Sequence, residues 1–80
     1  MKYIVKIIAT ATEQNKNFAD SVNTYFVGKG GYIKDDVKWC EGWSRKHFAE
    51  HYIKDDKEWK DQYNKNHHMF WIYDYEIIEI

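Results

Sequence analysis

The sequence predicts a two-layer α+β domain. A three-stranded antiparallel sheet, in the order strand, strand, helix or helices, strand, carries one or two helices on one face. Three observations lead there. Residues 2–12 and the stretch "HHMFWIYDYEIIEI" (67–80) alternate with period two in β-branched and aromatic types, the pattern of strands. Between them, "RKHFAEHYIK" (45–54) switches to helical spacing. "GKGG" (28–31) supplies the residues that tolerate positive φ in a tight reversal.

In chain order, the first strand turns Tyr3, Val5, Ile7, Ala9 and Ala11 one way and Ile4, Lys6, Ile8, Thr10 and Thr12 the other. "EQNKNFAD" (13–20) is polar and turn-rich, with Phe18 as a plug. "VNTYFV" (22–27) is the second strand, and Tyr32 and Ile33 continue beyond the glycines as a short third piece. "KDD" (34–36) opens a loop in which Trp39 and Trp43 flank Cys40, and Ser44 is an N-cap for the helix. That helix has Phe48, Ala49, Tyr52 and Ile53 on its apolar face and His47, Glu50, His51 and Lys54 opposite. Asp55 with Glu58 resembles a capping box for a second helix over about 56–64, bearing Trp59 and Tyr63; the alternative is one helix bent near Asp55. In the last strand Met69, Trp71, Tyr73, Tyr75 and Ile77 share one face, and Phe70, Ile72, Asp74, Glu76, Ile78 and Ile80 the other. A hairpin followed by a helical crossover brings this strand beside the first and antiparallel to it, so the first strand is central.

Residues 1–80 read as a single small domain with little room for a core. Aromatic residues, 19% of the chain, compensate with large apolar surfaces from few positions. The formal net charge of −1, from 12 basic and 13 acidic residues, creates no general field toward nucleic acid or an anionic membrane. Cys40 is the one cysteine; an intramolecular disulfide is excluded, as suits a reducing cytoplasm. The N-terminal "MKYIVKIIATATEQ" is basic and apolar, but Lys6 interrupts it and no small-residue cleavage site follows. No stretch has the apolar length of a membrane span. The lysine, isoleucine, asparagine and tyrosine bias fits an AT-rich genome.

The candidate chemistry is thin. A phosphate-binding loop needs amides converging at a helix N-terminus and a Ser or Thr after its lysine. Gly30 follows Lys29 and the chain stays extended, so "GKGG" reads as a hairpin turn with Lys29 exposed at its tip. His47 and His51 have the one-turn spacing of zinc ligands. They lie on the polar helix face, however, and a third ligand would have to reach over it. Cys40 lacks an orienting partner at a recognisable spacing and reads as a small hydrophobe. The acid pairs at 35–36 and 55–56 look like loop and cap positions, without the pocket that splits the pKa values of an acid–base pair. We therefore read no enzyme and no cofactor. Trp39 and Trp43, near Lys38, Arg45 and Lys46, form a candidate stacking surface for nucleic acid, partly cancelled by Glu41 and the aspartates. Core packing is the expectation for Trp59 and Trp71.

The sheet face away from the helices is less ordinary. Ile4, Ile8, Phe70, Ile72, Ile78 and Ile80 share it with Lys6, Asp74 and Glu76. Lys6 pairs across strands with Asp74 or Glu76, depending on register. So much apolar surface calls for a partner.

"YFVGKGGYI" (25–33), the tryptophan-containing loop, "FAEHYI" and the closing strand together resemble a loose class of small proteins encoded by phages and prophages of low-GC bacteria. In these a "VGKGG" hairpin precedes a short helix and a final strand. The resemblance covers most of the chain and transfers no catalytic residue. It implies an accessory protein that binds a host or phage protein in the bacterial cytoplasm; some such proteins antagonise host defence, CRISPR systems included. The near-neutral charge argues against an acidic DNA mimic. The sequence thus leads to a non-catalytic protein that binds a protein partner or itself. The alternatives are a nucleic-acid-binding module built on Trp39, Trp43 and nearby lysines, and a metal-binding protein built on His47 and His51.

Overall fold

The computed structural model describes residues 1–12, 21–66 and 71–80. Its strands are β1 (Tyr3–Ala11), β2 (Val22–Val27), β3 (Ile33–Lys34) and β4 (Trp71–Glu79), with a single helix α1 (Lys46–Asn66) between β3 and β4. The architecture is α+β, with one helix on a four-stranded antiparallel sheet of order β3-β2-β1-β4. The sheet has one strand more than the three expected. The short piece after the glycines, at Ile33–Lys34, pairs with Val27 and Phe26 and becomes the edge strand β3. The plug at Phe18, the turn over 13–20, and His67, His68, Met69 and Phe70 lie outside the described residues.

β1 is central, paired with β2 on one side and with β4 on the other. Its ladder with β4 runs without a break from Tyr3↔Glu79 to Ala11↔Trp71. This register puts Val5, Ile7 and Ala9 level with Ile77, Tyr75 and Tyr73 on the face toward the helix. Val5, Ile7, Val27 and Ala49 form the buried centre, ringed by Tyr25, Trp43, Tyr52, Ile53, Tyr73 and Ile77 among others. Each such aliphatic side chain contributes roughly 1.5–3 kcal/mol by leaving water. Ala49 is the helix residue at the centre; its small side chain lets α1 sit close to the sheet.

α1 is one helix of 21 residues, with no break at Asp55. Residues 46–66 contain neither glycine nor proline, the residues that stop a helix. Asp55 and Asp56 sit mid-helix and are held there by partners one turn away, His51 and Lys60. The capping-box expectation is thus corrected in favour of the continuous alternative. The helix begins at Lys46, one residue later than a cap at Ser44 implies, and the Phe48 amide donates to the Arg45 carbonyl at 3.3 Å.

The glycine segment is a turn. Gly30 (φ 95°) and Gly31 (φ 75°) occupy the left-handed region, and the Gly31 amide donates to the Gly28 carbonyl at 3.0 Å. The chain then loops through a short 3₁₀ turn at Val37–Trp39 and returns against the glycines. The Lys29 amide donates to the Glu41 carbonyl at 2.6 Å, and Tyr3 and Trp43 exchange main-chain hydrogen bonds of 2.9 and 2.8 Å. Trp43 thereby occupies the place beside β1 that β2 vacates after Val27.

Candidate interaction surfaces

The outer sheet face is built from the even-numbered residues of β1 and β4. Lys6 lies between Phe26 and Glu76, Ile8 between Thr24 and Asp74, and Ile78 beside Ile4. Asp74 and Glu76 are exposed, Lys6, Ile8 and Ile78 half-buried, and Ile72 is 50% exposed. The register resolves the pairing question: Glu76, not Asp74, stands opposite Lys6. One expected contact residue is corrected. Ile4 is 0% exposed and belongs to the interior. It lies one step beyond the Val5–Val27 pair, at the end of the sheet where the return segment passes, with Gly42 close against Lys2 and Tyr3. Alternation along a strand does not distinguish Ile4 from Ile8 or Ile72, which share its phase and are more exposed. Phe70 falls outside the described residues.

A second surface gathers at the glycine turn, where Lys29, Tyr32, Lys34, Trp39 and Cys40 line a shallow pocket of about 210 Å³. Trp39 is 63% exposed, with the Lys38 ammonium 5.3 Å from its ring centroid. The Lys34 ammonium stands 5.9 Å from the Tyr32 ring. Trp43, expected beside Trp39 as a platform, instead turns inward and packs on Tyr52 with centroids 5.7 Å apart. The two tryptophans therefore do not form one stacking surface. The basic groups also carry acids. Lys29 Nζ is 3.9 Å from Glu41 Oε1, and Lys38 Nζ is 3.7 Å from Asp36 Oδ2. Asp36 is fixed there because its Oδ1 accepts from the Lys38 amide at 3.1 Å, capping the 3₁₀ turn.

The third feature escaped the sequence reading. Trp59, expected in the core, stacks on Tyr63 on the solvent side of α1, with centroids 5.6 Å apart and Trp59 64% exposed. Asp56 and Lys60 take the sheet-facing positions instead. Tyr75 Oη donates to Asp56 Oδ2 at 2.5 Å, and Lys60 Nζ reaches the same oxygen at 2.7 Å. Lys60 Nζ also sits 3.8 Å from the Tyr73 ring centroid. Such an arrangement satisfies both charges while their stems pack on rings. Burial, then the hydrogen bond to Asp56, holds the Tyr75 hydroxyl far above the usual tyrosine range. Burial, with Tyr73 and Asp56 nearby, pushes Tyr25 up to about 12. Both hydroxyls therefore keep their protons near pH 7. The usable signal was spacing: Ala49, Ile53, Asp56 and Lys60 continue a single stripe along the helix.

The remaining candidates offer little chemistry. Among the described residues, no three His, Cys, Asp or Glu side chains converge as metal ligands. His51 Nδ1 lies 3.9 Å from Asp55 Oδ2, and the His47 ring is 4.2 Å from that of Phe48. The Cys40 thiol approaches the Asp36 carbonyl at 3.8 Å, and burial raises its pKa, away from the thiolate a nucleophile needs. No helix among the described residues is long and apolar enough to cross a membrane. No family model matches the chain, and neither the curated proteins nor the solved structures contain a significant match.

Proposed function

We propose that this chain is a non-catalytic interaction protein that binds a protein partner, or a second copy of itself, through the outer face of its sheet. The supporting observation is the half-exposed Ile72 on a sheet whose helix α1 packs on the opposite face. Ile8 and Ile78 extend the apolar surface, and Lys6, Asp74 and Glu76 supply charges that set orientation and partner choice more than affinity. The resemblance to small phage proteins extends the proposal to a phage or mobile-element product in a bacterial cytoplasm, acting on a host or phage protein, host defence systems included. The test is capture from a bacterial host lysate with nuclease-treated controls, with wild type and Ile72→Asp compared. Loss of a nuclease-resistant protein partner in the variant supports the reading; equal capture by a folded variant moves the contact elsewhere.

A nucleic-acid-binding module is the second reading. It rests on exposed Trp39 and Tyr32, each with a lysine over its ring. The acids beside Lys29 and Lys38 weigh against it, because they compete with phosphate for the same ammonium groups. Nuclease-sensitive recovery that falls in Trp39→Ala would favour this reading over the first.

A further inference from the structure

Among the described residues β4 has one neighbouring strand, β1, and its other edge carries none. Lys2 and Ile80 exchange both main-chain hydrogen bonds, at 3.1 and 2.8 Å. In an antiparallel ladder such pairs alternate with pairs that exchange none. Counting from Ile80, the main-chain groups of Ile78, Glu76, Asp74 and Ile72 point to β1. Those of Tyr73, Tyr75, Ile77 and Glu79 point to the opposite side, where no strand lies among the described residues. Natural edges are guarded by proline, lysine, bulges or shortness. β4 has nine residues, an unbroken register, no proline and no lysine.

A second copy is a poor occupant of this edge. An antiparallel pairing of β4 with itself follows a two-fold axis normal to the sheet. Centred on Tyr75, the axis sets Asp74 opposite the second copy's Glu76. Centred on Asp74 or on Glu76, it sets that acid against itself. β4 carries Asp74, Glu76 and Glu79 and no basic residue, so the three registers that pair the most of the strand, centred on Asp74, Tyr75 and Glu76, all oppose like charges. The same charges favour a strand with basic residues on its outer face. Beside the edge lies a pocket of about 240 Å³, lined by Trp71, Ile72, Tyr73 and Tyr75 of β4 and by Lys57, Lys60 and Asp61 of α1. It suits apolar side chains from the alternate positions of such a strand.

We propose that the open edge of β4 docks an extended segment of a protein partner as an added strand. That segment has Lys or Arg opposite Asp74 and Glu76 and apolar residues beside Tyr73 and Tyr75. The proposal rests on the reading of the chain as a protein-binding module and specifies the partner's chemistry.

The test uses two synthetic peptides of equal length, one alternating lysine with valine and one alternating glutamate with valine. Each is titrated into the isotope-labelled full chain. The lysine peptide should slow amide exchange at Tyr73, Tyr75 and Ile77. It should also bind roughly tenfold tighter than the glutamate peptide, the scale of two opposite-charge cross-strand pairs. The double variant Asp74→Lys, Glu76→Lys should invert that preference. N-methylation of the amides that would face β4 should abolish binding of the lysine peptide. Equal binding by the N-methylated peptide, or no protection at those amides, overturns the edge proposal. If Ile72→Asp still loses its captured partner in that case, the outer face stands as the contact and only the edge proposal falls.

Discussion

The Tyr75 hydroxyl donates to the Asp56 carboxylate at 2.5 Å and so ties the edge strand β4 to the middle of α1. This contact supplies order where β4 has, among the described residues, one neighbouring strand. Tyr75→Phe keeps the ring over Lys57 and Lys60 and removes only the donor. Asp56 retains Lys60, so the loss should stay near about 1 kcal/mol, the net value of one hydrogen bond. Asp56→Ala should cost more, because it strips both Tyr75 and Lys60 of their acceptor. Urea unfolding of the two variants against wild type measures the order.

The tyrosines around this contact make stability fall in alkali. Tyr25 is pushed up to about 12 from 10.0, and Tyr52, Tyr73 and Tyr75 are raised as well, each chiefly by burial. Above the unfolded value the unfolded chain releases protons that the folded chain retains, which favours unfolding. The stabilisation is therefore complete below about pH 10 and is lost as pH rises through the folded values. The Cys40 thiol, raised from 9.0 by burial, adds its own loss, so denaturant midpoints should begin to decline above about pH 9 and drop further above about pH 10. Tyr25→Phe should soften the drop. A flat profile through the alkaline range would contradict the burial of these hydroxyls.

The glycine turn separates backbone need from side-chain chemistry. Gly30→Val and Gly31→Val place a β-branched residue at positive φ, at a cost of roughly 1–3 kcal/mol each. Gly28→Ala should be worse than either, because a Cβ there would collide with the Glu41 carbonyl. Lys29→Ala touches only an exposed ion pair and should stay within about 0.5 kcal/mol. Thermal melts rank the four. Nucleotide binding that disappears with Lys29→Ala would restore the phosphate-loop reading.

Local patterns in the sequence announced the central β1, its antiparallel partner β4 and the glycine turn, because period two and positive-φ residues are local signals. The helix was legible at Ala49, Tyr52 and Ile53 and misleading at Trp59, which apolar character alone placed inside. The sheet-facing stripe at that level instead belongs to Asp56 and Lys60, which can be covered because each satisfies the other and both meet tyrosines of β4. That compensation is tertiary, as is the cover over Ile4. Trp43 was legible only as one of two tryptophans near Cys40; its bridge to Tyr3, which turns it inward, depends on a return path that no local pattern specifies.

The outer face provides the most direct comparison, since two isoleucines of the same phase differ in burial. Ile4 is 0% exposed and Ile72 is 50% exposed. Ile4→Asp buries an unpaired carboxylate and should unfold the domain. Ile72→Asp puts the same group where water reaches it, so the circular dichroism spectrum should keep its native form and the melting temperature should change little. Ile8→Asp falls between: Ile8 is half-buried and stands opposite Asp74, so the new carboxylate meets a like charge and lowers stability further than Ile72→Asp does. Association should respond in the other order of informativeness. Light scattering or partner capture should weaken in Ile72→Asp although the fold is intact, which isolates the loss of apolar contact from loss of structure. Unfolding of Ile72→Asp would make this face part of the core and overturn its role as a contact surface. Full association by a folded Ile72→Asp would instead direct attention to the exposed Trp39 and the glycine turn.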